Sequence, residues 1–278
     1  MWLFARALGS HGDQPVPSIG GFISATGDPP TRKTTIDYYP PIDEPITEYS
    51  TVAELLRRSE QATAEVGQEY IINTFDLGVC MKALPLIWCD PLRYSKHIVL
   101  IGQFHTAMNF ISMLFNHKMK RSGYQELLVE AQLVTTGCLN GILNGKAYAK
   151  ALFYVKTVSA ALERLLLDSF LQEEGQTIDM EPQVVLSLVT NCDKEHLDIA
   201  LGDASVLQLL KRIQDYESKV QDGHLGKTAM LWYSFIEHSR LLMMLLFAVK
   251  TNNVFLFHKC MGDMADLLFA FGGQNYAR

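Results

Sequence analysis

The chain has 278 residues, enough for one large domain or two small ones, and is 48% apolar and 19% charged. That balance supports a substantial core and excludes a disordered or highly solvated chain. A net charge of −6 and a pI near 5.7 argue against broad nonspecific binding to nucleic acid, leaving room only for a local basic patch at Lys118, Lys120 and Arg121.

Residues 1–47 are rich in Gly and Pro, with Gly27-Asp-Pro-Pro30, Pro40-Pro41 and Pro45. Proline lacks the ladder donor and blocks helix interiors, so this stretch reads as an extended arm. Within it Ile19 to Ala25 is expected to form a short strand, weakened by Gly20 and Gly21. The N-terminal segment Met1 to Gly9 lacks the basic start and long apolar core of a signal peptide.

Residues 48–105 read as a partial α/β core. Ser50 or Thr51 is expected to cap a helix over 52–66, with Glu54 completing a capping box on Thr51 and Gly67 ending it. A strand from Glu69 to Phe75 follows, then a helix near 77–87 held to a couple of turns by Pro85 and Pro91, then a strand at 97–102. Strand, helix, strand in this order predicts a right-handed parallel crossover.

Residues 106–174 read as a helical insertion and 175–278 as a C-terminal helical region. Helices are expected near 104–119, 122–132, 145–172, 181–190, 203–221, 227–249 and 251–271. In the long one, Leu152, Val155, Val158, Leu162, Leu165 and Ser169 mark a core-facing stripe. Gly175 to Thr177 forms the clearest linker, and Pro182 restarts a helix. The longest apolar run, Leu241 to Val249, is nine residues, against roughly twenty for a spanning helix. The fold class is therefore α/β plus mostly α: a small partial parallel sheet with crossover helices, followed by a helical array. The expected setting is intracellular, cytoplasmic or nuclear, with no membrane partner. Five widely spaced cysteines (Cys80, Cys89, Cys138, Cys192, Cys260) without a CxxC pair read as buried free thiols.

Asp76 is the first candidate for chemistry. A carboxylate at the carboxyl end of a strand stands where α/β folds place catalytic and metal-binding groups. A two-metal nuclease site would need at least two further carboxylates. The alternative role is to cap the helix that begins at Leu77. His105, just after the second strand, suits a ligand or general base, or a structural hydrogen bond to neighbouring backbone. Glu237 lies inside an apolar helix beside His238, among Phe235, Ile236 and Leu241. The pairs Glu126/Glu130 and Asp263/Asp266 read as solvated faces. Gly223-His-Leu-Gly-Lys-Thr228 is rejected as a phosphate loop, because Gln221 stands where the motif needs Gly and no strand precedes it.

Four segments carry a resemblance: Tyr49-Ser-Thr-Val52 through Lys82-Ala-Leu-Pro-Leu-Ile-Trp88, Gly102-Gln-Phe-His-Thr-Ala-Met-Asn109, Gly137-Cys-Leu-Asn-Gly-Ile-Leu-Asn-Gly-Lys-Ala-Tyr148, and Gly273-Gln-Asn-Tyr-Ala-Arg278. Together they resemble a group of transposable-element-derived proteins of marine invertebrates and fish whose activity is not established. Its members usually extend further at both ends, which implies that this chain is a fragment or a degenerate copy. By analogy with ribonuclease-H-like transposases, Asp76 would match the second carboxylate, Glu237 the third, and the strand bearing the first would lie upstream. The resemblance implies a remnant without catalytic activity, and no cofactor. Mg2+ or Mn2+ would enter only if the chain were an active DNA nuclease or transposase. DNA and a protein are the partners considered, the latter for a helical interaction module.

Overall fold

The computed structural model describes Trp2, Ala5 and residues 16–26, 36–174 and 194–272. These residues form many helices and one two-stranded parallel sheet, the expected fold class. Two compact units divide the chain: Met1–Lys33 with Leu114–Met264, and Thr34–Met113 with Ala265–Arg278.

The second unit holds the sheet. Helix α1 of the chain (Ile19–Thr26) belongs to the first unit; here the order is α2 (Tyr49–Glu65), β1 (Ile71–Phe75), α3 (Leu77–Cys89), β2 (His97–Ile101) and α4 (Gln103–Met113). The strands pair in parallel, from Ile71 opposite His97 to Phe75 opposite Ile101. Helix α2 packs on α3 and β1, and α3 packs on β2. The strand period of two therefore buries Ile71 and Asn73 and exposes Ile72 and Thr74.

Helix α2 begins earlier than expected. Glu48 is its N-cap residue, with no side-chain cap bond, so Ser50 and Thr51 fall inside the first turn and no capping box forms. Glu54 instead pairs with Arg57 and Arg58, at 2.7 and 2.9 Å, the three- and four-residue neighbours that a helix surface brings together. Gly67 ends the helix as expected, at φ 71°, a left-handed conformation that glycine adopts without penalty. Helix α3 continues through Pro85 to Cys89. A single lost donor is tolerated there while Cys80 and Ala83 remain packed in the core.

In the first unit, α1 replaces the strand expected over Ile19 to Ala25. The Phe22 amide donates to the Ser18 carbonyl at 2.8 Å, and Phe22 packs near Trp2, whose indole N–H donates to the Pro17 carbonyl at 3.0 Å. A π-helical turn (Leu114–Lys118) is followed by α5 (Tyr124–Glu130), α6 (Thr136–Leu143), α7 (Tyr148–Glu174), α8 (Lys194–Gly202), α9 (Ala204–Gln221) and α10 (Lys227–Lys250). The last helix, α11 (Val254–Ala270), runs across the boundary of the two units. Neither α6 nor α8 was expected. The predicted helix over 181–190 and the linker at Gly175 lie outside the described residues.

Helices α7, α9 and α10 share a core of Leu167, Phe170, Leu209, Tyr216, Val220, Tyr233 and Ile236. The predicted stripe on α7 is right at Val155 and Val158, which are buried, and at Leu162, which packs against this core, and drifts beyond them. Leu165 is 63% exposed, while Leu167 and Phe170 are buried. A helix turns 3.6 residues per turn, so a stripe whose steps of three outnumber its steps of four walks off the core line. Cys80 and Cys260 are buried free thiols, but Cys89 and Cys138 are exposed, Cys89 at the end of α3. No helix among the described residues is long and apolar enough to cross a membrane.

Candidate functional site

Asp76 leaves β1 with an extended backbone (φ −67°, ψ 168°) and caps α3: its Oδ1 accepts the Val79 amide at 2.9 Å. The carboxylate is thus engaged at a helix N-terminus, where orphan amides and the helix dipole favour negative charge. The strand end beside it is tight. The Gly102 amide donates to the Phe75 carbonyl at 2.7 Å, and a Cβ on Gly102 would lie only 3.1 Å from that oxygen, so glycine permits the approach. The Cys80 thiol sits 3.6 Å from the Phe75 and Leu100 carbonyls. Burial raises its pKa and the Asp76 charge raises it further, the opposite of an activated nucleophile.

His105 is half-buried near the start of α4. Its ring meets Phe104 edge-on at 5.3 Å, and its carbonyl accepts from the Asn109 side chain at 2.8 Å. Glu237 lies on α10, in the first unit, while Asp76 and His105 lie in the second. Burial raises the Glu237 pKa; Arg240 and Lys118 pull it back and Glu217 pushes it further up. Among the described residues, no three His, Cys, Asp or Glu side chains gather closely enough to hold a metal ion.

One polar cluster that joins three helices is a feature that sequence reasoning missed. On α10, Arg240 donates from Nε and a terminal nitrogen to both oxygens of Glu163 on α7, each at 2.7 Å. It also donates to Glu217 on α9 at 2.7 Å. Glu163 is buried, and Arg240 and Glu217 are partly buried. Burial alone would lower the Arg240 pKa, but the bonds to both carboxylates outweigh it and the net shift is upward. The guanidinium stays charged, in the bidentate geometry that suits it. Tyr233 stands beside this group, its phenol pushed up by burial and by Glu217. His238 follows Glu237; its Nδ1 meets the Ser234 carbonyl, and burial lowers its pKa. Arg240 joins the two carboxylates across α7, α9 and α10, so the triad acts as a lock between three helices.

In the second unit a cavity of about 550 Å³ opens between the Pro-rich segment 39–46, α2 and β1. Pro40, Pro41, Ile46, Leu55, Arg58 and Ile72 contribute to its lining. Arg58 anchors one wall, donating to the Pro40 carbonyl at 2.9 Å.

A family model described as a domain of unknown function, DUF8702, matches residues 20–278. The chain belongs to this family. Asp76, His105, Glu237 and the Arg240 triad of this DUF8702 chain all lie within the matched span. No curated protein and no solved structure matches it.

Proposed function

We propose that this DUF8702 chain is transposon-derived, retains part of a ribonuclease-H-like α/β core, and acts by binding rather than by metal-dependent catalysis. The observation that carries this reading is the role of Asp76. It stands at the strand end where the second carboxylate of such a core would be, yet its Oδ1 caps α3 through Val79. Two-metal phosphoryl transfer needs several acidic ligands converging on the ions, and this carboxylate is aimed at backbone.

The sheet edge supports the same reading. Ile71 and Phe75 direct their main-chain groups to the β2 side, through the Lys96 carbonyl and the Gly102 amide. By alternation, the main-chain groups of Ile72 and Thr74 face the other side of β1, where no strand pairs among the described residues. In the proposed core, that edge is where the strand bearing the first carboxylate belongs.

A second reading, a helical interaction module, is favoured by apolar side chains exposed along the C-terminal helices. Leu207, Met230, Met244, Val254 and Phe255 are all exposed, Phe255 at 91%. Large exposed apolar groups mark partner surfaces when they are contiguous.

The discriminating assay is Mg2+- or Mn2+-dependent cleavage or strand transfer on duplex DNA. No turnover is expected from the wild type or from Asp76→Asn, which keeps the cap. Metal-dependent turnover that Asp76→Asn abolishes, with an unchanged melting temperature, overturns the non-catalytic reading.

A further inference from the structure

The end of the π-helical segment and the turn that follows it concentrate positive charge on an otherwise acidic chain. Residues 117–121 read His-Lys-Met-Lys-Arg, with no acidic residue, in a chain of net charge −6. His117, Lys118, Lys120, Arg121 and Ser122 line a cavity of about 350 Å³, closed on one side by Leu231 of α10.

This cradle is held in place by residues interleaved with the basic ones. Phe115 stacks on Tyr124 at 5.0 Å, and Tyr124 stacks on Phe235 at 5.2 Å. Phe115, Met119 and Tyr124 are each about 1% exposed. The Asn116 amide donates to the Leu143 carbonyl at 2.9 Å and to the Asn144 side chain at 3.1 Å, tying the turn to the end of α6. The Ser122 hydroxyl donates to the Met119 carbonyl at 2.9 Å and accepts the Tyr124 amide at 3.1 Å. The π-helical wide turn itself is a local irregularity of the kind that recurs at functional sites.

We propose that this turn is a phosphate-binding cradle that grips the sugar–phosphate backbone of a nucleic acid. The cations have unequal surroundings. Lys118 is half-buried and close enough to Glu237 to influence it. Lys120 and Arg121 are exposed, and no ion pair engages either among the described residues. Apart from the His117 imidazole, the lining holds no ring among the described residues on which a base would stack, and stacking is what a site for nucleosides or unpaired bases supplies. The basic run itself offers no apolar wedge for a lipid surface either, since Met119, its one apolar residue, is buried. An open site built on long, exposed side chains suits successive phosphates on a polymer better than a single small anion. Such contacts fix position and carry no sequence information.

The inference depends on local charge and geometry, not on the chain's origin, so its test is separate from the cleavage assay. Anisotropy titrations would use a labelled DNA duplex at low salt, comparing wild type with the Lys120→Gln, Arg121→Gln double variant. The wild type is expected to bind, more weakly as salt rises. The double variant should bind at least about tenfold more weakly, with a salt slope reduced by about two. Lys120→Arg should bind as wild type does, and circular dichroism melts of all three should coincide. Four results overturn the proposal: no binding by the wild type at low salt; equal binding by the double variant; displacement of the duplex by an equimolar amount of inorganic phosphate; or capture on phosphatidylserine vesicles without capture of DNA.

Discussion

At the scale of single residues, Asp76 shows how one position serves folding. Its carboxylate satisfies an amide that α3 cannot satisfy internally, and replacing such a cap by alanine costs about 0.5–2 kcal/mol. Asp76→Ala is therefore expected to lower stability by about 1 kcal/mol in urea titrations, and Asp76→Asn by much less. Equal losses in both variants would mean that charge, not capping, matters there. His97 makes a second prediction. Its Nδ1 lies 3.2 Å from the Asn73 amide nitrogen, while its Nε2 is buried without a partner among the described residues. Burial lowers its pKa, and Glu60 opposes that in part. A base whose folded pKa is depressed is held neutral by the fold, so the unfolded chain binds more protons once pH drops below the ordinary histidine value. Stability should be level above that value and fall as pH decreases through the window beneath it; buried His238 adds to the same trend. Denaturation midpoints measured from pH 8 to pH 5 should show the decline, and His97→Gln should flatten it. A pH dependence that His97→Gln leaves unchanged would remove this account.

Among the elements, the triad of Glu163, Arg240 and Glu217 sets how α7, α9 and α10 meet. Removing one partner of a buried ion pair leaves the other uncompensated, at a cost of about 3–5 kcal/mol. Arg240→Ala strands two carboxylates and should destabilise by about that much in chemical denaturation. Glu237, one turn away, behaves oppositely. Its pKa is raised, so the folded state holds its proton more tightly than the unfolded chain does. Stability associated with it is full below the ordinary glutamate range and falls as pH rises through the window up to the raised value. Glu237→Gln should remove that decline and leave the protein at least as stable at neutral pH; a clear loss there would show Glu237 bonding favourably as an anion. Sequence reasoning reached some of this and not the rest, for physical reasons. The β1–α3–β2 unit was legible because two apolar runs of strand length are punctuated by Gly67, Asp76 and Gly102. Helix α1 was misread because eight residues with two glycines do not distinguish a period of two from one of 3.6. The same scarcity of signal hid α6, which carries Gly137 and Gly141. Glu163 was invisible because a stripe is found by counting apolar residues, and this one interrupts the core line of α7 with a charge. Its partner Arg240 lies 77 residues away, a separation that no periodicity spans.

For the molecule as a whole, the question is how a chain with net charge −6 would hold a polyanion at all. Coulomb repulsion from the net charge acts over the Debye length, about 30 Å at 0.01 M salt and about 10 Å at 0.1 M. Attraction at the 117–121 turn acts at contact, through counterions released from each phosphate engaged. Three cations in contact imply a log–log salt slope of about −2.7 on duplex DNA, at roughly 0.9 per phosphate. The two effects respond to salt in opposite senses. Added salt screens the long-range repulsion first, while it steadily weakens the contact term. The plot should therefore bend, shallow at the lowest salt and approaching the three-phosphate slope once the Debye length has shrunk to the size of the turn. Titrations of one duplex across that range measure the curvature directly. A straight line steeper than about −5 would require about six engaged phosphates by the same relation, more than the turn can contact. It would move the binding surface elsewhere on the chain.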